Sequence, residues 1–138
     1  PENVMLDGSG DARLMDFGIA RPVVRVADGL TQVGMVVGSP LYSPPEQLNG
    51  DPVDERADVF AIGVVLYELL TGQRPYPGRN PIEIYMAQIN GDARRPSALV
   101  AGIGTGLEDL IMRCLSPRPA DRYRNAQELL AALDGLRR

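Results

Sequence analysis

The stretch DERADVFAIGVVLYELLTG, residues 54–72, decides how the rest of the chain folds. Val59, Phe60, Ile62, Val64, Val65, Leu66, Leu69 and Leu70 occupy nearly every face of a helical wheel, so a helix through 54–70 is predicted to be buried all round. Asp54 is its candidate N-cap, and Gly72 follows its last apolar residue as a stop signal. Such a helix is too short and too charged at its start to span a bilayer. It should instead be the central post on which the other elements pack.

Toward the C-terminus, further helices carry their own start signals. Asn80 offers a capping side chain before Pro81 at the first helical position, opening a helix to about Ile89. Thr105 with Glu108, and Asn125 with Glu128, pair a capping residue with a Glu three positions on. These predict helices over 106–115 and 126–136. Toward the N-terminus, residues 19–50 are rich in Pro and Gly and hold no helical period, and so read as a long functional loop. Before it, Val4-Met5-Leu6 and Ala12-Arg13-Leu14-Met15 flank the turn formers 7–11 and read as a β-hairpin. The expected fold is mainly α, with a short β-hairpin, a long loop, and about four to five helices around a buried central helix.

Composition narrows the function classes. The chain has 138 residues, is 44% hydrophobic and 23% charged, which suits one globular domain. Fourteen basic residues against 18 acidic ones give a formal charge of -4, and the basic ones are scattered. Nucleic acid and membrane surfaces are therefore not expected as partners of this segment. No apolar run nears the roughly 18 residues of a membrane span, and no signal peptide opens the chain. Cys114, the single cysteine, sits among apolar neighbours and reads as a reduced core residue, so a cytoplasmic location is expected. Every basic residue is Arg, and there is no His, so chemistry needing a His base or a Lys clamp must come from outside. The chain opens on Pro rather than Met and is expected to be a piece of something longer.

Chemistry gathers where the chain enters and leaves the hairpin. Asn3 precedes its first strand and Asp16 follows its second, so the two would flank one end of the ribbon. Carbonyl and carboxylate oxygens suit Mg2+, which takes its other ligands from water and substrate phosphates. Gly18 would let the backbone swing after Phe17, and Phe17 would plug a hydrophobic slot that keeps Asp16 in aim. Taken alone, Asp16-Phe17-Gly18 reads more readily as an ordinary turn at a strand end.

Context settles the reading. PEN (1–3), DFG (16–18), GSPLYSPPEQ (38–47), DVFAIGVVLYELLTGQRPYPG (58–78) and CLSPRPADRY (114–123), in that order, resemble the C-terminal lobe of a protein Ser/Thr kinase. The resemblance covers essentially the whole chain and is strongest to bacterial kinases of the eukaryotic type. It implies transfer of the γ-phosphoryl group of ATP, with Mg2+, to a Ser or Thr hydroxyl of a protein substrate.

The resemblance also implies residue roles. Asn3 and Asp16 would hold Mg2+, with Asp16 reaching the ATP phosphates through the ion. Met5 stands where the family has the apolar floor of the adenine pocket, although core packing explains Met5 equally well. Arg21 resembles the basic residue that receives an activation-loop phosphate, and Thr31 is the candidate acceptor; a solvated Arg and a solvated Thr are the alternative. Ser39 replaces the family's usual Thr, whose hydroxyl bonds the catalytic loop. Glu46 and Arg122 match a long-range ion pair that ties the end of the activation segment to the helices. Asp58 resembles an Asp that accepts amides of the catalytic loop. Phe17, Gly18, Glu46, Asp58 and Arg122 are thus scaffold rather than chemistry. Pro44 departs from the family pattern, which has Ala or Ser before Pro-Glu, and removes one more amide from the loop.

Other parts of a kinase would lie outside this sequence. The resemblance implies an N-terminal lobe with a Gly-rich loop and a phosphate-gripping Lys, joined in cis, and a catalytic-loop Asp upstream of Pro1. Residues 1–138 are accordingly expected to be a partial kinase domain, inactive alone. Two other classes are a non-catalytic, pseudokinase-like binding lobe, suggested if the gene began near Pro1, and a helical interaction module, which would make PEN and DFG accidents.

Overall fold

The computed structural model describes residues 4–14 and 42–137. Strands β1 (Val4–Leu6) and β2 (Ala12–Leu14) form an antiparallel pair in the register Val4 with Leu14, Met5 with Arg13 and Leu6 with Ala12. Asp7 makes the turn. Its Oδ1 accepts the amides of Ser9 at 2.9 Å and Asp11 at 3.0 Å, and its Oδ2 accepts from Arg13 Nε at 2.9 Å. The Arg13 bond, followed by the two amides, holds the Asp7 carboxyl below its ordinary pKa. Gly10 takes φ 84°, the left-handed region, where a side chain would be strained.

Helix α1 (Pro45–Asn49) falls within the stretch expected to be loop, and corrects that expectation. Pro45 at the first position presets a helical φ, and Gly50 at φ 79° closes the helix through amide bonds to Gln47 and Glu46 carbonyls. Five residues are too few to show a helical period in sequence.

Helix α2 (Arg56–Thr71) is the long apolar segment. Its first turn is closed by Asp54, whose Oδ1 accepts the Arg56 amide at 2.9 Å, although Glu55 sits at the cap position. Ala57, Val59, Phe60, Gly63, Val64 and Tyr67 are buried, more than in any other helix of the described residues. The expectation of burial all round is corrected, because Ile62 is 36% and Leu69 65% exposed. Seven residues apart, these two share one face. Helices α4 (Thr105–Cys114) and α5 (Ala126–Leu136) and the 3-10 turn Pro96–Ala98 pack on α2 and bury its other side.

The core joins Val59, Phe60, Val64 and Tyr67 to Ile84 of α3 (Pro81–Asn90), to Leu110, Ile111 and Cys114 of α4 (Thr105–Cys114), and to Leu129 of α5 (Ala126–Leu136). Phe60 and Tyr76 stack with centroids 6.2 Å apart. Helices α2 and α4 meet closely at Gly63, where an added Cβ would lie 2.6 Å from the Cβ of Cys114. Burial pushes the Cys114 thiol up to about 12, so it stays protonated.

The caps are partly as predicted. Asn80 accepts the Glu83 amide and Asn125 the Glu128 amide, each at 2.9 Å. Both Glu side chains reach back to the amides of Arg79 and Arg124. Thr105 is a correction: Gly104 occupies the cap and Thr105 lies inside α4. The Glu108 carboxylate is engaged elsewhere, accepting from Arg95 Nε at 2.7 Å and from the Ser97 amide at 2.6 Å. Ser97, through hydroxyl and amide, and then Arg95 lower the Glu108 carboxyl to about 2. Among the described residues, no helix is long and apolar enough to cross a membrane.

Candidate functional site

The antiparallel register sets Val4 opposite Leu14, so the start of β1 and the end of β2 lie at one end of the ribbon. Asn3, Asp16, Phe17, Gly18, Arg21, Thr31 and Ser39 lie outside the described residues. Met5 lies on β1 and is 55% exposed. Among the described residues, no group of three or more His, Cys, Asp or Glu side chains could hold a metal ion.

The end of the expected activation segment, residues 42–46, is described in full and is tied down from several directions. Tyr42 donates through its hydroxyl to Glu68 of α2 at 3.1 Å. The Ser43 carbonyl accepts from Gln88 Nε2 of α3 at 2.8 Å. Pro44 and Pro45 supply no amide hydrogen. Glu46, in the first turn of α1, is buried and faces Arg122.

Arg122 and Glu46 meet as a fork on a fork. Nη1 donates to Glu46 Oε1 at 2.6 Å and Nη2 to Oε2 at 2.9 Å. The remaining N–H groups reach carbonyls of Arg56, Ser116 and Pro117, so all five guanidinium donors are satisfied. The guanidinium carbon also lies 4.9 Å from the Phe60 ring centroid. A buried charge is tolerable only on such terms. One side chain thereby joins α1, the first turn of α2 and the connection after α4.

Asp58 lies in the first turn of α2 and is exposed. Gln88 had not been singled out from the sequence. Its signal was a polar residue four positions after Ile84, on the buried face of α3. Glu108, expected from the sequence only as the cap partner of Thr105, likewise lies on the buried face of α4.

Comparison with known proteins agrees with this geometry. A family model described as "Protein kinase domain" matches residues 1–132. The "Serine/threonine-protein kinase PknB" of Mycobacterium tuberculosis is 38% identical over 133 residues, covering 96% of this chain and 21% of that protein. The proteins of the same name from Mycobacterium leprae and Mycolicibacterium smegmatis are 38% and 36% identical over the same shares. The chain thus spans about a fifth of the length of these relatives.

Proposed function

Because the chain belongs to the protein kinase family, we propose that it forms the metal-binding and scaffold part of a Ser/Thr kinase catalytic domain. The observation that carries this reading is the ordered match over residues 1–132, running from PEN through DFG to the Arg122 region. The family's enzymes use ATP and Mg2+ and act on protein substrates. An independent binding lobe or helical module is not favoured, since neither accounts for that ordered match.

Asn3 and Asp16 fit Mg2+ by the chemistry of their oxygens, and the register of Val4 with Leu14 brings together the strand ends they flank. When bound, Mg2+ neutralises charge on the ATP phosphates. In the reaction, the substrate oxygen bonds to the γ-phosphorus, the bond to the bridging oxygen breaks, and ADP leaves. The hydroxyl proton would pass to the catalytic-loop Asp that the family carries ahead of PEN, and a Lys clamp would also come from outside, since the chain has no Lys. Met5 would face the adenine. Arg21 would receive phosphate on Thr31, and a guanidinium suits that anion because it donates two parallel bonds. Ser39 would bond the catalytic loop, as would Asp58. The buried Glu46 and Arg122 pair fixes where the activation segment ends.

The test is to incubate the whole protein carrying this chain with MgATP and a protein substrate, then identify the phosphorylated amino acids. Phosphoserine and phosphothreonine are expected, with none formed by the 138-residue chain alone. Phosphotyrosine alone, or transfer by the isolated chain, would contradict the reading.

A further inference from the structure

We propose that Gln88 is a positioning residue, a side-chain clamp that fixes the backbone at Ser43 and so sets how the end of the activation segment presents itself to a protein substrate. The inference rests on the kinase reading for its consequence, but not for the clamp itself.

The argument begins with a cost. Gln88 is fully buried on α3, and its Oε1 is the one buried side-chain polar atom among the described residues with no hydrogen-bond partner. An amide half left unpaired in the interior is unfavourable, and an apolar side chain of similar size would avoid the penalty. The other half of the amide does one thing: Nε2 donates to the Ser43 carbonyl at 2.8 Å, across 45 positions of sequence. That carbonyl precedes Pro44-Pro45, where two successive residues lack an amide hydrogen, so the local chain has little of its own hydrogen bonding to hold its shape.

The clamp also differs in kind from its neighbours. Tyr42 and Glu46 are held through their side chains, by Glu68 and Arg122. Gln88 holds the main chain itself, between those two points. It therefore fixes peptide orientation at Ser43, which neither flanking contact determines. It also ties α3 to the residue two positions ahead of α1, and α1 and α3 themselves pack together.

The test compares the unaltered protein with Gln88→Met, which removes both the clamp and the unpaired oxygen while nearly keeping the volume. In the whole protein, amide exchange at Gln47 and Leu48, whose N–H groups bond the Pro44 carbonyl next to the clamp, should quicken while the melting temperature holds or rises. In the whole kinase, KM for the protein substrate should rise several-fold to about tenfold, the factor one hydrogen bond supplies, with KM for ATP unchanged. A fall in melting temperature with exchange quickened throughout would make Gln88 ordinary core and overturn the proposal. Unchanged exchange at Gln47 and Leu48 would overturn it as well. If exchange quickens there but KM for the protein substrate stays the same, the role in presentation is overturned. Should the unaltered whole protein transfer no phosphate, the kinase reading fails instead, and the exchange result alone decides the clamp.

Discussion

Arg122 grips Glu46 across 76 positions of sequence, with two parallel hydrogen bonds of 2.6 and 2.9 Å. The Arg122 side chain is fully buried and that of Glu46 nearly so, and the pair joins α1 to the connection between α4 and α5. Its strength lies in completeness, since every N–H of the guanidinium has an acceptor.

Breaking this pair from one side should be severe. Arg122→Leu leaves the Glu46 carboxylate buried without its partner, at a cost of about 3 to 5 kcal/mol in unfolding free energy. The double variant Glu46→Leu with Arg122→Leu should lose less than the sum of the two single changes, because no charge is then left unpaired. Denaturant unfolding of the four proteins measures this. A loss below about 1 kcal/mol for Arg122→Leu, the value of an exposed pair, would contradict the burial argument.

Gly63 should resist substitution although it lies mid-helix, where Ala is ordinarily better by about 1 kcal/mol. An Ala methyl there meets the Cys114 Cβ at 2.6 Å and Leu115 Cδ2 at 3.3 Å. Gly63→Ala should destabilise by about 1 to 3 kcal/mol through overpacking between α2 and α4. The clash is with a Cβ rather than a sulfur, so adding Cys114→Ala should bring no relief. Recovery of stability in that double variant would show that the helices do not meet at this spacing.

Acid should weaken the contact between α4 and the Pro96–Ala98 turn. The Glu108 carboxyl is lowered to about 2 from an ordinary 4.5, first by Ser97 and then by Arg95. A depressed folded pKa stabilises the fold above the ordinary value, and that stability is lost as pH falls from about 4.5 toward about 2. Glu108→Gln should therefore melt lower than the unaltered protein near neutral pH, with the gap closing in acid. A gap that stays constant from neutral to acid would remove Glu108 as the cause.

The sequence was legible where a pattern repeated or a cap announced itself. The hairpin, the three cap-marked helices and the apolar α2 all follow from local periodicity and turn chemistry, and Glu46 and Arg122 from the family resemblance. What stayed hidden depended on contacts distant in sequence. The short α1 has too few residues for a period. The exposure of Ile62 and Leu69 reflects which side of α2 its neighbours choose, and composition carries no trace of that. The cap predicted at Thr105 falls instead on Gly104, and the Glu that would have completed the motif is bound by Arg95 and Ser97, both distant in sequence. Gln88 left a readable mark, a polar residue on a buried face, but its partner at Ser43 could not be foreseen.

The central claim is that this chain carries the metal-binding end of a kinase active site, and Asp16 tests it most directly. The measurement is transfer of radiolabelled phosphate from ATP to a protein substrate by the whole protein, unaltered and with Asp16→Ala, alongside a melting curve for each. Without the carboxylate the ATP phosphates lose their metal-bearing ligand, and each 1.4 kcal/mol lost from the transition state lowers the rate about tenfold. The account predicts transfer reduced to background in Asp16→Ala with an unchanged melting temperature. Full transfer by that variant would contradict it.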